Sequence, residues 1–446
     1  MLKSKFASLF GLTLLGLMAA PYSQGQGLGN SPYSRLGLGD FNPNTGGVRQ
    51  QGMGGVGLAA PNGINVNELN PALVYYTSRT TYEVGVNGEF KTIRNQVNSQ
   101  RDGNGSLSYL AFSVPISKRW AGAAGLKPYS SVNYLSTVRE PVPNDPNGGL
   151  SYKEYKGEGG LSEAYIVQAF QVAKGLSLGV TASYVFGNID LTTGTSVAPA
   201  DAISAAGLSK VIIRERVRYS DFTFRTGAHY RGKVNSKLNY NLAGVYSFQS
   251  NLNGKRDTSL EREDAAGLQT ENTTLLTNQK GEATVPAMEQ FGIGFDNNKN
   301  WSINLDLSRQ EWSKFRAFGL QGGTVGIPLS NTFRAGLGGE FAPDPSSVSS
   351  YFKRVTYRAG ISVAELPYRP AGERLYDRSV SWGFAFPLPT ATVLDNTTIN
   401  MAFTYGQRGN TKRTAESPNG NVKEDYVRMQ LGVTLNNRWF IKRRIE

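Results

Sequence analysis

Apolar and polar residues alternate along most of the chain after about residue 80. The clearest segment lies near the C-terminus, where one parity is occupied by Val427, Met429, Leu431, Val433 and Leu435. Strict alternation places the apolar side chains on one face of an extended strand. The same pattern recurs over residues 82–90, 176–186, 238–248, 301–307, 333–341, 355–363, 380–388 and 399–405 and, less regularly, over residues 106–116, 120–137, 161–173, 211–231 and 284–297. The alternation predicts about fourteen strands.

These predicted strands are long, and their second face is polar. They run for roughly 9 to 16 residues, whereas strands of soluble sandwiches average about 5 to 6. An even number of long antiparallel strands is typical of a one-chain outer-membrane barrel. No window after residue 26 approaches the length of apolar sequence that a spanning helix needs. The predicted fold is therefore all-β, a transmembrane antiparallel β-barrel, and a soluble exported sandwich is the alternative.

Connections between the strands alternate in length. Short joints at Lys174-Gly175, residues 232–236 and residues 297–300 are typical of periplasmic turns. The connections 141–160, 192–210 and 251–283 are long and polar, as outer loops are. We expect the last of these, which is rich in Asn, Thr, Glu and Gln, to be a loop without regular structure.

The N-terminal residues have the three parts of a secretory signal. Lys3 and Lys5 precede an apolar run, and small residues precede a plausible cleavage site before Gln26. We therefore predict a signal peptide at 1–25, an N-terminal lumen plug or hatch at 26–79, an outer-membrane β-barrel at 80–440 and a short basic periplasmic tail at 441–446. The predicted location is the outer membrane of a Gram-negative bacterium.

Composition argues against most catalytic chemistry. The 446 residues include no Cys and a single His, which leaves no thiolate, no Cys/His pair and no HExxH zinc site. His229 lies on the polar parity of a predicted strand, and we interpret it as a solvated strand histidine. Glu261, Glu263 and Asp264 cluster in a polar segment and are expected to be solvated. No enzyme activity, no cofactor and no metal site are expected.

The net charge of +13 raises the question of nucleic acid. The Lys and Arg residues are scattered along the chain, and dense groups occur only at residues 214–218 and 442–444. Charge that is scattered over strands and loops favours a solvated or lipid-facing surface over a surface that binds a nucleic-acid groove. We expect no nucleic-acid partner, and we expect contact with outer-membrane lipid and lipopolysaccharide.

The stretch GMGGVG fits the G-x-G-x-x-G spacing of dinucleotide-binding folds. Its glycines are Gly52, Gly54, Gly55 and Gly57. That motif can bind a pyrophosphate only where it connects a buried strand to a helix. No predicted buried strand precedes it, and Pro61-Asn62-Gly63 stops any helix soon after it. We interpret the glycines as tight-packing elements of a lumen plug.

The order of these features resembles the outer-membrane long-chain fatty acid transport proteins of the FadL type. A signal peptide is followed by the glycine motif, by the triplet Asn70, Pro71 and Ala72, and by strands to the C-terminus. The resemblance implies a fourteen-stranded barrel whose hatch contains these residues. It also implies a kink in the third strand that opens the wall sideways, and Lys127, Pro128 and Tyr129 lie at the matching place. A plain strand end is the alternative there.

Two functional hypotheses follow from the resemblance. The first is a passive channel for hydrophobic small molecules such as long-chain fatty acids, gated by the hatch and emptied through the lateral opening. The second is a FadL-like barrel that transports nothing and acts as a structural subunit of an outer-membrane assembly or secretion complex, with proteins as its partners. A tightly packed hatch without an apolar cavity would favour the second hypothesis.

Overall fold

The computed structural model of the chain describes residues 31–35, 38–41, 46–145, 148–198, 208–318, 329–389, 396–414, 417 and 419–437. The predicted signal peptide at 1–25 and the basic tail at 441–446 lie outside these residues. None of the helices in the described part of the chain has the length and apolar character needed to cross a membrane.

The described residues form seventeen strands that belong to one sheet. They are β1 (Asp40–Phe41), β2 (Thr80–Arg94), β3 (Ser99–Ser117), β4 (Trp120–Pro141), β5 (Leu150–Ala173), β6 (Leu176–Ala198), β7 (Lys210–Lys233), β8 (Asn239–Ser247), β9 (Ser250–Glu263), β10 (Gln269–Val285), β11 (Met288–Asp296), β12 (Trp301–Gln310), β13 (Thr332–Phe341), β14 (Thr356–Glu365), β15 (Tyr376–Leu388), β16 (Asn396–Gly409) and β17 (Lys423–Asn437).

The sheet closes into a barrel of fourteen antiparallel strands, which confirms the predicted fold class. The last strand β17 pairs with β2 along its whole length, from Lys423 opposite Arg94 to Asn437 opposite Thr80. Strands β8 and β9 together form one wall strand that pairs with β7, and β10 and β11 together form the next. The two-residue strand β1 lies outside this count, because it only pairs with part of β4.

Alternation of side chains separates a membrane face from a lumen face. Along β11, Phe291, Ile293 and Phe295 are exposed, whereas Gly292 and Gly294 between them are buried. The exposed apolar residues form the outer surface that lipid covers, and the intervening parity points inward. The predicted alternating segments coincide with the fourteen wall strands. Side chains of a strand alternate between its two faces, so a strand with one face in lipid shows this pattern in its sequence.

The wall is much taller on one side than on the other. Strands β4 to β7 contain 22 to 24 residues, whereas β12 to β14 contain 10 each. The prediction of an irregular loop at 251–283 was wrong, because this segment forms most of the β9–β10 hairpin. Cross-strand ion pairs such as Arg262–Glu271 at 3.3 Å and Arg214–Glu261 at 3.0 Å contribute to this polar hairpin and its contact with β7.

A hydrophobic core fills the inner side of the tall wall. It consists of inward-facing residues of the long strands together with parts of the N-terminal region and of the β12–β13 connection. Its buried members are Leu38, Val132, Tyr134, Leu161, Val185, Ile189, Leu191, Val217, Tyr219, Leu252, Ala283 and Val285, and Phe41, Tyr129, Phe315 and Phe318 pack against it. The upper lumen on this side is therefore occupied by packed side chains.

Candidate functional site

The N-terminal segment, residues 46–77, lies inside the barrel. It contains a short helix α1 (Val48–Gln51) and a 3₁₀ helix (Pro71–Tyr76). Its residues contact β6 at Gly179 and β14 at Gly360, which lie on opposite sides of the barrel. Nearly all of its side chains are buried. The segment therefore closes the lumen at this level.

Wall glycines allow the segment's backbone to approach the strands closely. A methyl group at Gly338 or Gly360 would overlap the carbonyl group of Met53, and one at Gly179 would overlap the backbone of Pro71. Further wall glycines that face the segment are Gly227, Gly292, Gly294, Gly336, Gly383 and Gly432. A glycine in a strand has no side chain, so another backbone can approach the strand closely at that position. These inward-facing glycines mark such close approaches.

The GMGGVG stretch forms the turn that follows α1. Gly54 has φ +76°, which is a left-handed conformation that favours glycine, and a Cβ atom there would lie 3.0 Å from the backbone nitrogen and oxygen of Ile361. A Cβ atom at Gly52 would lie 3.2 Å from the Cα atom of Gly383 on β15. The structure thus places these glycines against the wall, and their role in any gate stays a prediction.

A buried ion triad joins α1 to the wall. The Arg49 guanidinium donates to Glu340 on β13 at 2.5 Å and 3.1 Å and to the Ala60 carbonyl at 3.1 Å. Arg358 on β14 donates to the same carboxylate at 3.2 Å and to Asn400 at 2.9 Å. The Arg49 side chain is only 2% exposed. Because both oxygens of the carboxylate are engaged, the triad fixes the position of α1.

Two charged wall side chains bind the backbone of the glycine turn. Asp306 on β12 accepts the N–H groups of Gly57 at 2.7 Å and Leu58 at 3.0 Å. Arg334 on β13 donates to the Gly54 carbonyl at 2.7 Å. A chain without regular secondary structure must satisfy its buried backbone groups in this way. The wall therefore supplies the hydrogen bonds that the turn lacks internally.

Asn70 connects the second half of the segment to itself and to the wall. Its side-chain oxygen accepts the Ala72 N–H at 3.0 Å, which caps the 3₁₀ helix. Its amide nitrogen donates to the Leu58 carbonyl at 3.0 Å and to the Ala228 carbonyl of β7 at 3.2 Å. Pro71 contacts β6 and β7 next to it. The predicted Asn-Pro-Ala triplet is thus a packed contact within the lumen.

His229 is buried, and its interpretation as a solvated strand histidine was wrong. Its side chain is 1% exposed, and its Nδ1 lies 3.2 Å from the Tyr76 hydroxyl. Burial raises the pKa of Tyr76 to about 12, so this hydroxyl remains protonated and can donate to the ring nitrogen. The polar parity of β7 does face the lumen, but the 3₁₀ helix fills the lumen at this point.

Strands β3 and β4 separate at the place predicted for a lateral opening. They are paired from Ser117 and Trp120 up to Leu110 and Leu126, and the described part of β4 beyond Leu126 has no pairing with β3. Pro128 lies just past this point, where its lack of an N–H leaves no donor unpaired. Strand β1 instead pairs with β4 at Ser130 and Ser131.

The N-terminal region covers this gap from the inside. Phe41 of β1 packs edge-on against Tyr129, with ring centroids 5.6 Å apart. Lys127 points inward, 3.5 Å from the carboxylate of Glu68 in the N-terminal segment and 3.9 Å from that of Glu163 on β5. Whether Lys127, Pro128 and Tyr129 border an open path stays a prediction, since β1 occupies the edge that such a path would use.

The lumen retains a cavity that is lined by both polar and apolar side chains. It has a volume of about 300 Å³ and lies against Gly54 and Gly55 of the N-terminal segment. Its charged lining includes Glu89, Arg334, Arg408 and Arg428, and its apolar lining includes Leu107, Met288, Trp312 and Phe333. Most of the charges are already paired, as in Arg428–Glu89 at 2.5 Å and Arg408–Asp377 at 3.3 Å. The described residues contain no cluster of acidic or histidine side chains that could hold a metal ion.

Sequence reasoning found the glycine motif and the Asn-Pro-Ala triplet but missed the charged residues that hold them. Arg49, Asp306, Glu340 and Arg358 were read only as scattered charge. Their position in the alternating pattern could have identified them, because Asp306, Glu340 and Arg358 all lie on the lumen-facing side of a membrane strand. A charge at such a position needs a partner within the lumen.

Comparison with known proteins gives one family and several structural neighbours. The BamG family model matches residues 1–446, and no curated protein sequence matches the chain significantly. The CymD monoaromatic hydrocarbon channel aligns over 90% of this chain and 100% of its own, with 17% identity and a TM-score of 0.57.

Two further crystal structures have the same fold. A Pseudomonas aeruginosa FadL homologue aligns over 90% of this chain and 97% of its own, with 17% identity and a TM-score of 0.53. The P. putida toluene transporter TodX aligns over 89% and 99%, with 14% identity and a TM-score of 0.52. The barrel therefore has the fold of outer-membrane channels for hydrophobic compounds.

Proposed function

Since the chain belongs to the BamG family and is a Gram-negative outer-membrane barrel with a filled lumen, we propose that it is a structural subunit of an outer-membrane protein assembly. In this proposal the barrel transports nothing and catalyses nothing, and it acts through its surfaces. The observation that carries the proposal is the close packing of residues 46–77 against the wall.

Several kinds of contact would have to break before a molecule could pass. The backbone of the segment lies against wall glycines, and its polar groups are bonded to wall side chains such as Glu340 and Asp306. Unpairing a buried ion pair alone costs about 3–5 kcal/mol. A gate that opens frequently would need a minor state within a few kcal/mol of the closed one. The combined contacts favour a permanently seated segment.

The remaining cavity is small and carries charged groups among its apolar side chains. A hydrophobic molecule in it would separate charged and hydroxyl groups from water and from one another, which costs free energy without compensating hydrogen bonds. The apolar residues of the upper lumen are packed against each other around Tyr219 and Leu252. The cavity among the described residues thus offers a hydrophobic molecule a mixed polar and apolar site of about 300 Å³.

Purification from detergent-solubilised outer membrane, followed by quantitative mass spectrometry of everything that stays bound, tests the proposal. A structural subunit is expected to retain one or more proteins in a fixed stoichiometry and no hydrophobic small molecule. The purified barrel in liposomes should accelerate the entry of a long-chain fatty acid no more than empty liposomes do. Accelerated entry together with a bound fatty acid or hydrocarbon would contradict it.

A second candidate is a gated channel for hydrophobic small molecules such as long-chain fatty acids. The observation in its favour is the separation of β3 and β4 beyond Leu126, combined with the fold of the hydrocarbon channels. In this case β1 must leave Ser130 and Ser131 before cargo can exit sideways. Fatty-acid entry that rises when Phe41 is replaced by Ala, and that is absent in a heat-denatured control, would favour this channel.

A further inference from the structure

The connections at one end of the barrel, most of which are short turns, carry an excess of positive charge. We call the exposed cations Lys118, Arg119, Lys174, Lys233, Lys237, Lys299 and Lys353 the basic rim. They lie on five different connections, between β3 and β4, β5 and β6, β7 and β8, β11 and β12, and β13 and β14. Short turns of outer-membrane barrels face the periplasm, so the rim lies at the periplasmic end.

Few carboxylates lie near the rim cations. None of the seven forms an ion pair with any residue that the structure describes, whereas extracellular pairs include Lys153–Glu140 at 2.8 Å and Lys412–Glu373 at 2.6 Å. On the described parts of these five connections, Asp344 is the one carboxylate, and it is half-buried. It accepts a hydrogen bond from the Ser346 hydroxyl group at 2.7 Å, and the charges of Lys299 and Lys353 act on it as well. The periplasmic end is therefore strongly positive.

Each group of rim cations adjoins an exposed apolar side chain. Ile116 and Trp120 flank Lys118 and Arg119, and Val172, Val234, Phe295 and Phe352 stand next to or within four residues of the other cations. Apolar and aromatic residues at strand ends mark the level at which lipid chains give way to head groups. Lysine extends its charged amino group from such a position into the polar layer. The cations thus lie at the height of lipid phosphates.

We propose that the basic rim binds the head groups of anionic phospholipids in the periplasmic leaflet and so surrounds the barrel with an anionic lipid annulus. A phosphodiester with one net negative charge is the chemistry that dispersed lysines recognise, because each amino group acts as a mobile point charge. A cation near an anionic membrane surface raises the local lipid affinity by about fivefold at most.

The arrangement favours lipid over an acidic protein as the partner. The cations are spread over five turns that occupy more than half of the barrel circumference, which a lipid annulus follows and a single protein patch does not. Six of the seven are lysines, and lysine is depleted from protein–protein interfaces. This inference does not depend on the proposed function, since a channel and a structural subunit would both need an anchored barrel.

Spin-labelled lipids can test the inference on the full chain. The protein is reconstituted at low salt in phosphatidylethanolamine that contains a minor fraction of phosphatidylglycerol, and electron spin resonance gives the relative association of each labelled lipid. The wild type is expected to prefer phosphatidylglycerol about threefold. The variant with Lys174→Gln, Lys233→Gln, Lys299→Gln and Lys353→Gln is expected to lose this preference.

A matched control removes the same charge from the other end of the barrel. Arg101→Gln, Lys255→Gln, Lys280→Gln and Arg413→Gln replace exposed cations of the extracellular region and should leave the preference unchanged. Heat-modifiable mobility in gels confirms that each variant is folded. The inference is overturned if the wild type shows no preference, if both variants lose it equally, or if the rim variant loses only an acidic bound protein.

Discussion

Replacing Arg49 with Met should release the N-terminal segment from the wall without removing the wall's own ion pair. The substitution deletes two hydrogen bonds to Glu340 and one to the Ala60 carbonyl, while Arg358 stays 3.2 Å from the same carboxylate. Breaking a buried ion pair by removing one partner costs about 3–5 kcal/mol. Because the carboxylate keeps one arginine, we expect the low end of this range, about 3 kcal/mol.

Hydrogen exchange measures this change directly. A destabilisation of about 3 kcal/mol corresponds to roughly a hundredfold larger population of the open segment. Amides of residues 46–60 in the reconstituted protein should therefore exchange roughly a hundredfold faster in Arg49→Met than in the wild type, as read by mass spectrometry of their peptides. Amides of the wall strands should be unchanged, because β13 and β14 keep their pairing.

The matched control is Arg358→Met. It removes the wall arginine from the same carboxylate but leaves the bond between Arg49 and Glu340, so exchange in residues 46–60 should rise much less. Equal protection of the segment in the wild type and in Arg49→Met would refute the reasoning. An equal effect of both variants would also refute it, since the segment would then depend on the wall network as a whole.

Substitutions at three further contacts test the structure. Gly338→Ala should displace the segment and lower the stability to urea, because the new methyl group overlaps the Met53 carbonyl. Gly244→Ala is its control and should be neutral in the same urea unfolding measurement, because its methyl group meets nothing within 4 Å. Asn70→Ala removes the helix cap and two further hydrogen bonds, so limited proteolysis after residue 60 should accelerate, and unchanged cleavage would contradict the assignment. Lys127→Met removes the ammonium group beside the carboxylates of Glu68 and Glu163 and should lower the unfolding midpoint. An unchanged midpoint would mean that the hydroxyl groups of Tyr165 and Ser183, which donate to these carboxylates, already compensate them.

The barrel could be predicted from the amino-acid sequence. A two-residue period is a local property, so the segments around Leu431 and Phe291 identified their strands without any knowledge of their neighbours. The apolar parity also identified the face that lipid covers. The same reasoning failed for residues 251–283, because Thr, Asn and charged side chains form a hairpin there only when the opposite strand supplies their partners.

What occupies the lumen depends on tertiary contacts that no local pattern specifies. The sequence predicted a solvated His229 because the polar face of a barrel strand can line either a water-filled lumen or a filled one. The contact between Tyr76 and His229 shows that the lumen is filled at this point. The contact between Arg49 and Glu340 joins residues 291 positions apart, and no local pattern encodes such a pairing. The sequence thus specified the wall through its period, whereas the closed lumen arises from contacts between segments that are distant in the chain.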